Sequence, residues 1–151
     1  MEYEITIEKV RSVKELEQCA RMYTAAYNCE PWNDNWTSET ASALLTCYYN
    51  TPEFMGWLVK QDDRIIGCAI GNMEPYYSGN IFILKELFVA VGSQGSGVGS
   101  SLIVALKEDL QKINVKMIML FTRRPIFNFY IKSGFVEMPD AGTMIYSYIN
   151  K

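Results

Sequence analysis

Residues 87–102 read L-F-V-A-V-G-S-Q-G-S-G-V-G-S-S-L. An apolar, strand-like run enters a loop carrying Gly92, Gly95, Gly97 and Gly99. Val98, Leu102, Leu106 and Leu110 then recur at helical spacing. A strand–loop–helix unit of this kind points to an α/β domain. It also aims several backbone N–H groups, with the positive end of the helix dipole, at one point, which suits a phosphate or pyrophosphate. Glycine lets such a ligand approach the backbone without meeting a Cβ.

The other elements can be read around this unit. Ile5 and Ile7 alternate with polar neighbours, as in a short first strand. Ser12 and Glu15 fit a capping box ahead of Leu16, Cys19, Ala20, Tyr23 and Tyr27 at helical spacing. The segment C-E-P-W-N-D-N-W (Cys29–Trp36) breaks that pattern. Thr37 then caps a second helix with Ala41, Leu44, Leu45 and Tyr48 on its apolar face, ended by Thr51-Pro52. Strands over Phe54–Lys60 and Arg64–Asn72 flank a turn at Gln61-Asp62-Asp63, and a third runs from about Ile81 to Val91. Val115–Phe121 is nearly all apolar, as expected for a buried strand in a partly parallel sheet. Pro125 opens a short helix ending at Gly134, and Phe135–Met138 and Thr143–Ile149 read as two last strands, paired as a hairpin. The order predicts one α/β domain over residues 1–151. Its mixed, mostly antiparallel sheet has about seven strands, flanked by about four helices.

Composition removes several function classes. Lys plus Arg number 14 and Asp plus Glu 17, a formal charge of −3, so nothing favours nonspecific nucleic-acid binding. The chain has no histidine, which excludes His-based triads, His general bases and most zinc sites, and no metal is expected. Cys19, Cys29, Cys47 and Cys68 form no C-x-x-C pair and read as reduced core or near-core thiols of a cytoplasmic protein. No apolar run reaches the roughly 18 residues of a membrane span, and Met1-Glu2-Tyr3-Glu4 is too acidic and polar for a signal peptide.

Three phosphate-binding patterns compete for the glycine loop. Gly92 and Gly97 have Walker spacing, but Val98 stands where the lysine is needed. Gly95-Ser96-Gly97 starts a dinucleotide fingerprint, but Ser100 replaces its third glycine. Gln94-Gly95-Ser96-Gly97-Val98-Gly99 fully matches the third pattern, [QR]-x-x-G-x-[GA]. Leu87-Phe88-Val89 ends the preceding strand five residues before Gln94, and Tyr130-Ile131-Lys132-Ser133-Gly134-Phe135 matches a downstream Y-x-x-x-G-F signature. On these residues, and on the element order over nearly the whole chain, the sequence resembles the GCN5-related N-acetyltransferase superfamily.

The resemblance implies acetyl transfer from acetyl-CoA to an amine. The amine attacks the thioester, an oxyanion forms, and CoA leaves as a thiolate, so the site needs orientation, an oxyanion donor, a base and an acid. Leu87, Phe88 and Val89 would pair with the pantetheine arm, where the strand splays from its neighbour and frees an amide near Phe88 or Val89. Backbone N–H groups from Gly95, Ser96, Gly97, Val98, Gly99 and Ser100 would hold the pyrophosphate, with Gln94 capping the loop. Tyr130 would protonate the thiolate, a phenol being protonated at neutral pH; packing of its ring is the rival role. Glu86 would take the amine's proton, directly or through water. Strand alternation puts it on the face of Phe88, and a salt bridge to a Lys or Arg is the structural alternative. Arg123 stands where many members carry an asparagine. It and Arg124 are candidates for the phosphates or for solvent, with Asn128 a substitute contact.

On the acceptor side, Glu30, Asp34 and Glu74 would attract an ammonium group on which Trp32 or Trp36 could stack, with Tyr76 and Tyr77 as a further wall. Packing between helices is the alternative for the tryptophans. The segment resembles those of aminoglycoside or small-amine acetyltransferases. Its expected partner is a small-molecule amine, with a protein amine as the other acceptor class. A CoA-binding regulatory module without catalysis is a reading from a different class. Tyr146 and Tyr148 near the C-terminus are candidates for edge-pairing two sheets in a homodimer.

Overall fold

A computed structural model describes residues 4–149. Met1–Tyr3, part of the acidic polar start, lie outside the described residues, as do Asn150 and Lys151. The elements are β1 (Ile5–Lys9), α1 (Val13–Tyr27), α2 (Ser38–Tyr49), β2 (Phe54–Gln61), β3 (Arg64–Glu74), β4 (Ile81–Val89), α3 (Val98–Lys112), β5 (Met117–Leu120) and α4 (Phe127–Lys132). Short 3₁₀ turns at Val91–Ser93 and Arg124–Ile126 lead into the glycine loop and α4.

Local signals fix most of these boundaries. The Ser12–Glu15 capping box forms in both directions, with Ser12 Oγ accepting from the Glu15 N–H. Thr37 caps α2 through a similar box with Thr40. The turn after β2 holds Asp62 and Asp63 at φ 47° and 69°, a left-handed pair that matches strand twist and that short polar residues tolerate. Pro125 sits in the 3₁₀ turn ahead of α4, and Gly134 at φ 94° ends that helix.

The sheet order is β1-β2-β3-β4-β5. The first three pairings are antiparallel, and β4 pairs with β5 in parallel. That parallel step requires a crossover, which α3 supplies. Alternation along the strands divides the core between two faces. Trp57, Val59, Ala69, Phe82 and Leu84 pack under Leu102, Ile103 and Leu106 of α3. Leu58, Cys68, Ile70 and Phe88 pack under Leu16, Ala20 and Leu45 of α1 and α2. Gly67 is required where α3 crosses β3: a Cβ there would lie 2.7 Å from Val98 Cγ1. No helix among the described residues is long and apolar enough to cross a membrane.

Five expectations change. The sheet has five strands, not about seven. Phe135–Met138 and Thr143–Ile149 form no ladder: Phe135 packs on the core and Glu137 pairs with Arg124 without strand pairing, and Met144, Ile145, Tyr146, Tyr148 and Ile149 are exposed. β5 is consequently an edge strand of four residues, half-buried rather than buried, with Phe121 beyond it 75% exposed. Cys19 and Cys68 are buried, but Cys29 and Cys47 are exposed, because each falls on the solvent side of its helix or helix end. Ile5 and Ile7 lie on the more exposed face of β1, so alternation located that strand without giving its inward side.

Candidate active site

Two breaks in the ladders shape the site. A bulge in β4 faces the Ile70/Gly71 step of β3: Ile70 pairs with Glu86 and Gly71 with Leu84, leaving Lys85 as the extra residue. On its other side β4 pairs with β5 only over Ile81–Leu84. Beyond Leu84 the two parallel strands part, so the β5-facing edge of β4 from Lys85 to Val89 has no strand partner. This is the splay expected at Leu87-Phe88-Val89. It opens a cleft of about 960 Å³ that runs from Glu86 past the free edge to the glycine loop.

The far end of the cleft is the loop itself. Gly95 and Gly97 adopt φ 78° and 88°, and a Cβ on either would meet nothing within 4 Å. Their glycine character is therefore conformational rather than steric. Gly97 is the N-cap of α3 and makes no side-chain cap bond, so the first-turn N–H groups point out with no side chain on them. Ser96 Oγ turns back to the Ser93 carbonyl. Gln94 Nε2 donates to the Val89 carbonyl at 3.3 Å, and the Tyr27 hydroxyl to the Leu87 carbonyl at 3.4 Å. Two acceptors on the free edge are thus held by side chains that can yield to an incoming strand-like ligand.

At the near end Glu86 is set in a cluster of tyrosines. Its Oε1 accepts from Tyr23 Oη at 3.1 Å and from Tyr48 Oη at 3.4 Å. No Lys or Arg pairs with it among the described residues. Burial pushes the carboxyl above its usual range, and the Tyr27, Tyr23 and Tyr48 hydroxyls pull part of the way back. The same burial, with the Glu86 charge nearby, raises Tyr130 and Tyr48 to about 12 each, and Tyr23 further. A carboxyl of raised basicity and a phenol that stays protonated near neutral pH thus share one cleft.

Opposite Glu86, the aromatic wall comes from α1 and the segment after it. Tyr23 meets Trp36 edge-on at 5.2 Å and Phe88 at 5.1 Å, and Tyr27 meets Trp32 at 5.2 Å. Asp34 Oδ2 accepts from Trp36 Nε1 at 3.0 Å.

Of the residues read from sequence, Glu86, Leu87, Phe88, Val89, Gln94, Gly95, Gly97, Val98, Gly99, Ser100, Arg123 and Tyr130 line the cleft, as do Glu30, Trp32, Asp34 and Trp36. Ser96 lies on the loop but off the lining, and Asn128 is exposed on α4 and faces elsewhere. Arg123 is turned toward the segment after α1: its Nη1 donates to the Pro31 carbonyl at 3.2 Å, and its guanidinium stacks 5.5 Å from the Trp32 ring. Arg124 pairs with Glu137 at 3.3 Å. Glu74 and Tyr76 sit at the end of β3 and in the loop after it, exposed and outside the cleft. Sequence reasoning missed Tyr23, Tyr27 and Tyr48 as functional groups because their spacing is that of a core face. The usable signal was tyrosine rather than phenylalanine or leucine, since a buried hydroxyl needs a partner.

A family model described as the acetyltransferase (GNAT) family matches residues 16–135. The chain belongs to this family. No curated protein matches it in sequence. Solved structures share the fold. A possible acetyltransferase from Clostridium difficile 630 superposes with TM-score 0.79 at 15% identity over 97% of this chain and 99% of that one. The aminoglycoside N-acetyltransferase AAC(6')-Iy, in complex with CoA, gives TM-score 0.73 at 15% identity over 97% and 96%. The aminoglycoside acetyltransferase meta-AAC0020 from an uncultured soil metagenomic sample, in complex with sisomicin, gives 0.67 at 16% identity over 97% and 95%.

Proposed function

We propose that this chain is an acetyl-CoA-dependent N-acetyltransferase that moves an acetyl group to a primary amine of a small molecule, of aminoglycoside or polyamine type, within a ternary complex. One observation carries the reading: the uncapped glycine loop, the free edge of β4, Glu86 and Tyr130 all open onto the same cleft. The residues fit CoA. An extended amide arm adds along the edge of β4 as a strand would, and the α3 N-terminus with Gly95 and Gly97 receives a pyrophosphate.

Acetyl-CoA supplies the thioester that makes the acetyl group transferable. The chain does the rest. Asp34, Glu30 and the faces of Trp32 and Trp36 draw an ammonium group into the near end of the cleft. Glu86 takes the proton that the amine sheds as its bond to the acetyl carbon forms. Its raised basicity suits that task near neutral pH. Tyr130 gives its proton to the sulfur as the carbon–sulfur bond breaks. The splayed edge leaves an amide near Phe88 or Val89 for the negative charge on the acetyl oxygen.

The test is a turnover screen of polyamines, aminoglycosides, amino acids and peptide N-termini, reading acetylated product by mass. Acetylation of a small amine, lost in Glu86→Gln and reduced in Tyr130→Phe, is the expected result. Acetylation of peptides alone would move the acceptor to proteins. CoA binding with no acceptor acetylated would leave a regulatory module. Full turnover in both variants would remove the two residue roles.

A further inference from the structure

Trp32 already carries a cation. The Arg123 guanidinium lies 5.5 Å from the centre of its ring, and Arg123 Nη1 donates to the Pro31 carbonyl at 3.2 Å. A ring face beside a carbonyl oxygen is also what an ammonium ion seeks: the face attracts positive charge and the carbonyl accepts an N–H. The ring is fixed from its own side. The Trp32 N–H donates to the Cys29 carbonyl at 3.0 Å, and Tyr27 meets the indole at 5.2 Å. The arginine is held less firmly. It is exposed and, among the described residues, pairs with no carboxylate. Glu30 and Asp34, two residues to either side of Trp32, line the same cleft, and neither forms an ion pair with any described residue. An exposed cation–π contact and one hydrogen bond to a neutral group are both of the weaker kind.

We propose that Arg123 is a stand-in for the acceptor's ammonium group, and that a cationic acceptor binds by displacing it from Trp32. The inference rests on the N-acetyltransferase reading above and names a residue that selects its acceptor. Two cations do not share one ring face and one carbonyl, because the charge that draws each to the site repels the other. Every cationic acceptor therefore competes with Arg123. A cation that meets only the ring replaces one such contact with another. A polycation that also reaches Glu30 and Asp34 adds ion pairs that Arg123 does not make. The resting arginine sets a threshold that acceptors with several positive charges pass most readily.

The test reads binding without acetyl-CoA, with spermidine as the probe in about 0.15 M salt, so its failure is distinct from an absence of turnover. In the free chain the Trp32 ring current shifts the Arg123 side-chain protons upfield, and saturating spermidine should return them to ordinary positions. By calorimetry, Arg123→Gln should bind spermidine about three- to tenfold more tightly, since a site blocked most of the time loses affinity in proportion to its open fraction. Trp32→Ala should bind it more weakly, and adding Arg123→Gln to that variant should recover nothing. Four results overturn the proposal. One is Arg123 signals that stay shifted at saturating spermidine. Another is no spermidine binding by either the parent or Arg123→Gln. A third is equal or weaker binding in Arg123→Gln. The last is a loss of CoA affinity as the main effect of Arg123→Gln, which would give the guanidinium to the phosphates.

Discussion

Around Glu86 no buried side-chain polar atom lacks a hydrogen-bond partner, while past β5 five large apolar side chains stand in solvent. The first region opens because the parallel pair β4–β5 is only four residues long. On the α1 and α2 side the gap left by the parting strands is walled by the chain's own tyrosines and tryptophans. On the other side no strand among the described residues pairs with β5. The cleft is therefore walled on both sides, whereas the outer edge of β5 has no strand partner among the described residues.

The contrast is sharpest in what Glu86→Gln should do. Loss of a general base costs about 10²–10⁴-fold in turnover, read as kcat on the best acceptor. Stability should move the other way. The folded state holds the Glu86 proton more tightly than the unfolded chain does, because burial raises the carboxyl. The stability tied to that proton is full below the unfolded carboxylate range and is lost as pH rises through the raised folded value. An amide never ionises, so Glu86→Gln should melt above the parent at pH 7–8, by about 2–4 °C for each kcal/mol relieved, and gain nothing near pH 4. Equal gains at both pH values would mean that the carboxyl is not strained by burial.

The next effect separates core from edge. Leu102→Ala, at a fully buried position beneath the sheet, should cost about 2–5 kcal/mol in denaturant unfolding. Ile145→Ala, at an exposed position, should cost under about 0.5 kcal/mol. A large cost at Ile145 would erase the distinction between the two regions.

Gly97→Val comes third. Forcing a β-branched residue into the left-handed region at the start of α3 costs about 1–2 kcal/mol. The disturbed loop should weaken CoA about tenfold or more. Unchanged CoA affinity would remove the loop from the binding site. The smallest effect should come from the tyrosines. Tyr23→Phe and Tyr48→Phe each remove a hydroxyl that favours the ionised carboxylate, so the rising limb of the kcat–pH profile should move to higher pH. The move should be larger for Tyr23, whose bond is shorter, 3.1 against 3.4 Å. An unmoved limb would place the titrating base elsewhere.

The sequence showed the contents of the cleft better than its wiring. The glycine loop, the strand ahead of it, the Ser12–Glu15 capping box and the Thr37 cap are local signals, and the structure has each element where they mark it. Glu86 stood out because a carboxylate in a central strand needs a reason to be there. Its partners were hidden, since Tyr23, Tyr27 and Tyr48 come from two helices and keep the spacing of a packing face. Arg123 was legible as a charge but not as a stack on Trp32, a contact that joins positions 91 residues apart. The last two strands failed for a different reason. The segments are apolar and alternating, but a ladder needs a partner edge, and alternation alone does not specify one.

Titration calorimetry of CoA, acetyl-CoA, ATP and NAD against the purified protein tests the central claim most directly. Saturable binding of CoA and acetyl-CoA at one site per chain, with ATP and NAD at least tenfold weaker and with CoA affinity reduced in Gly97→Val, is the result predicted here. Absence of CoA binding, or equal binding of ATP or NAD, would contradict the assignment of the cleft and return the glycine loop to a structural turn.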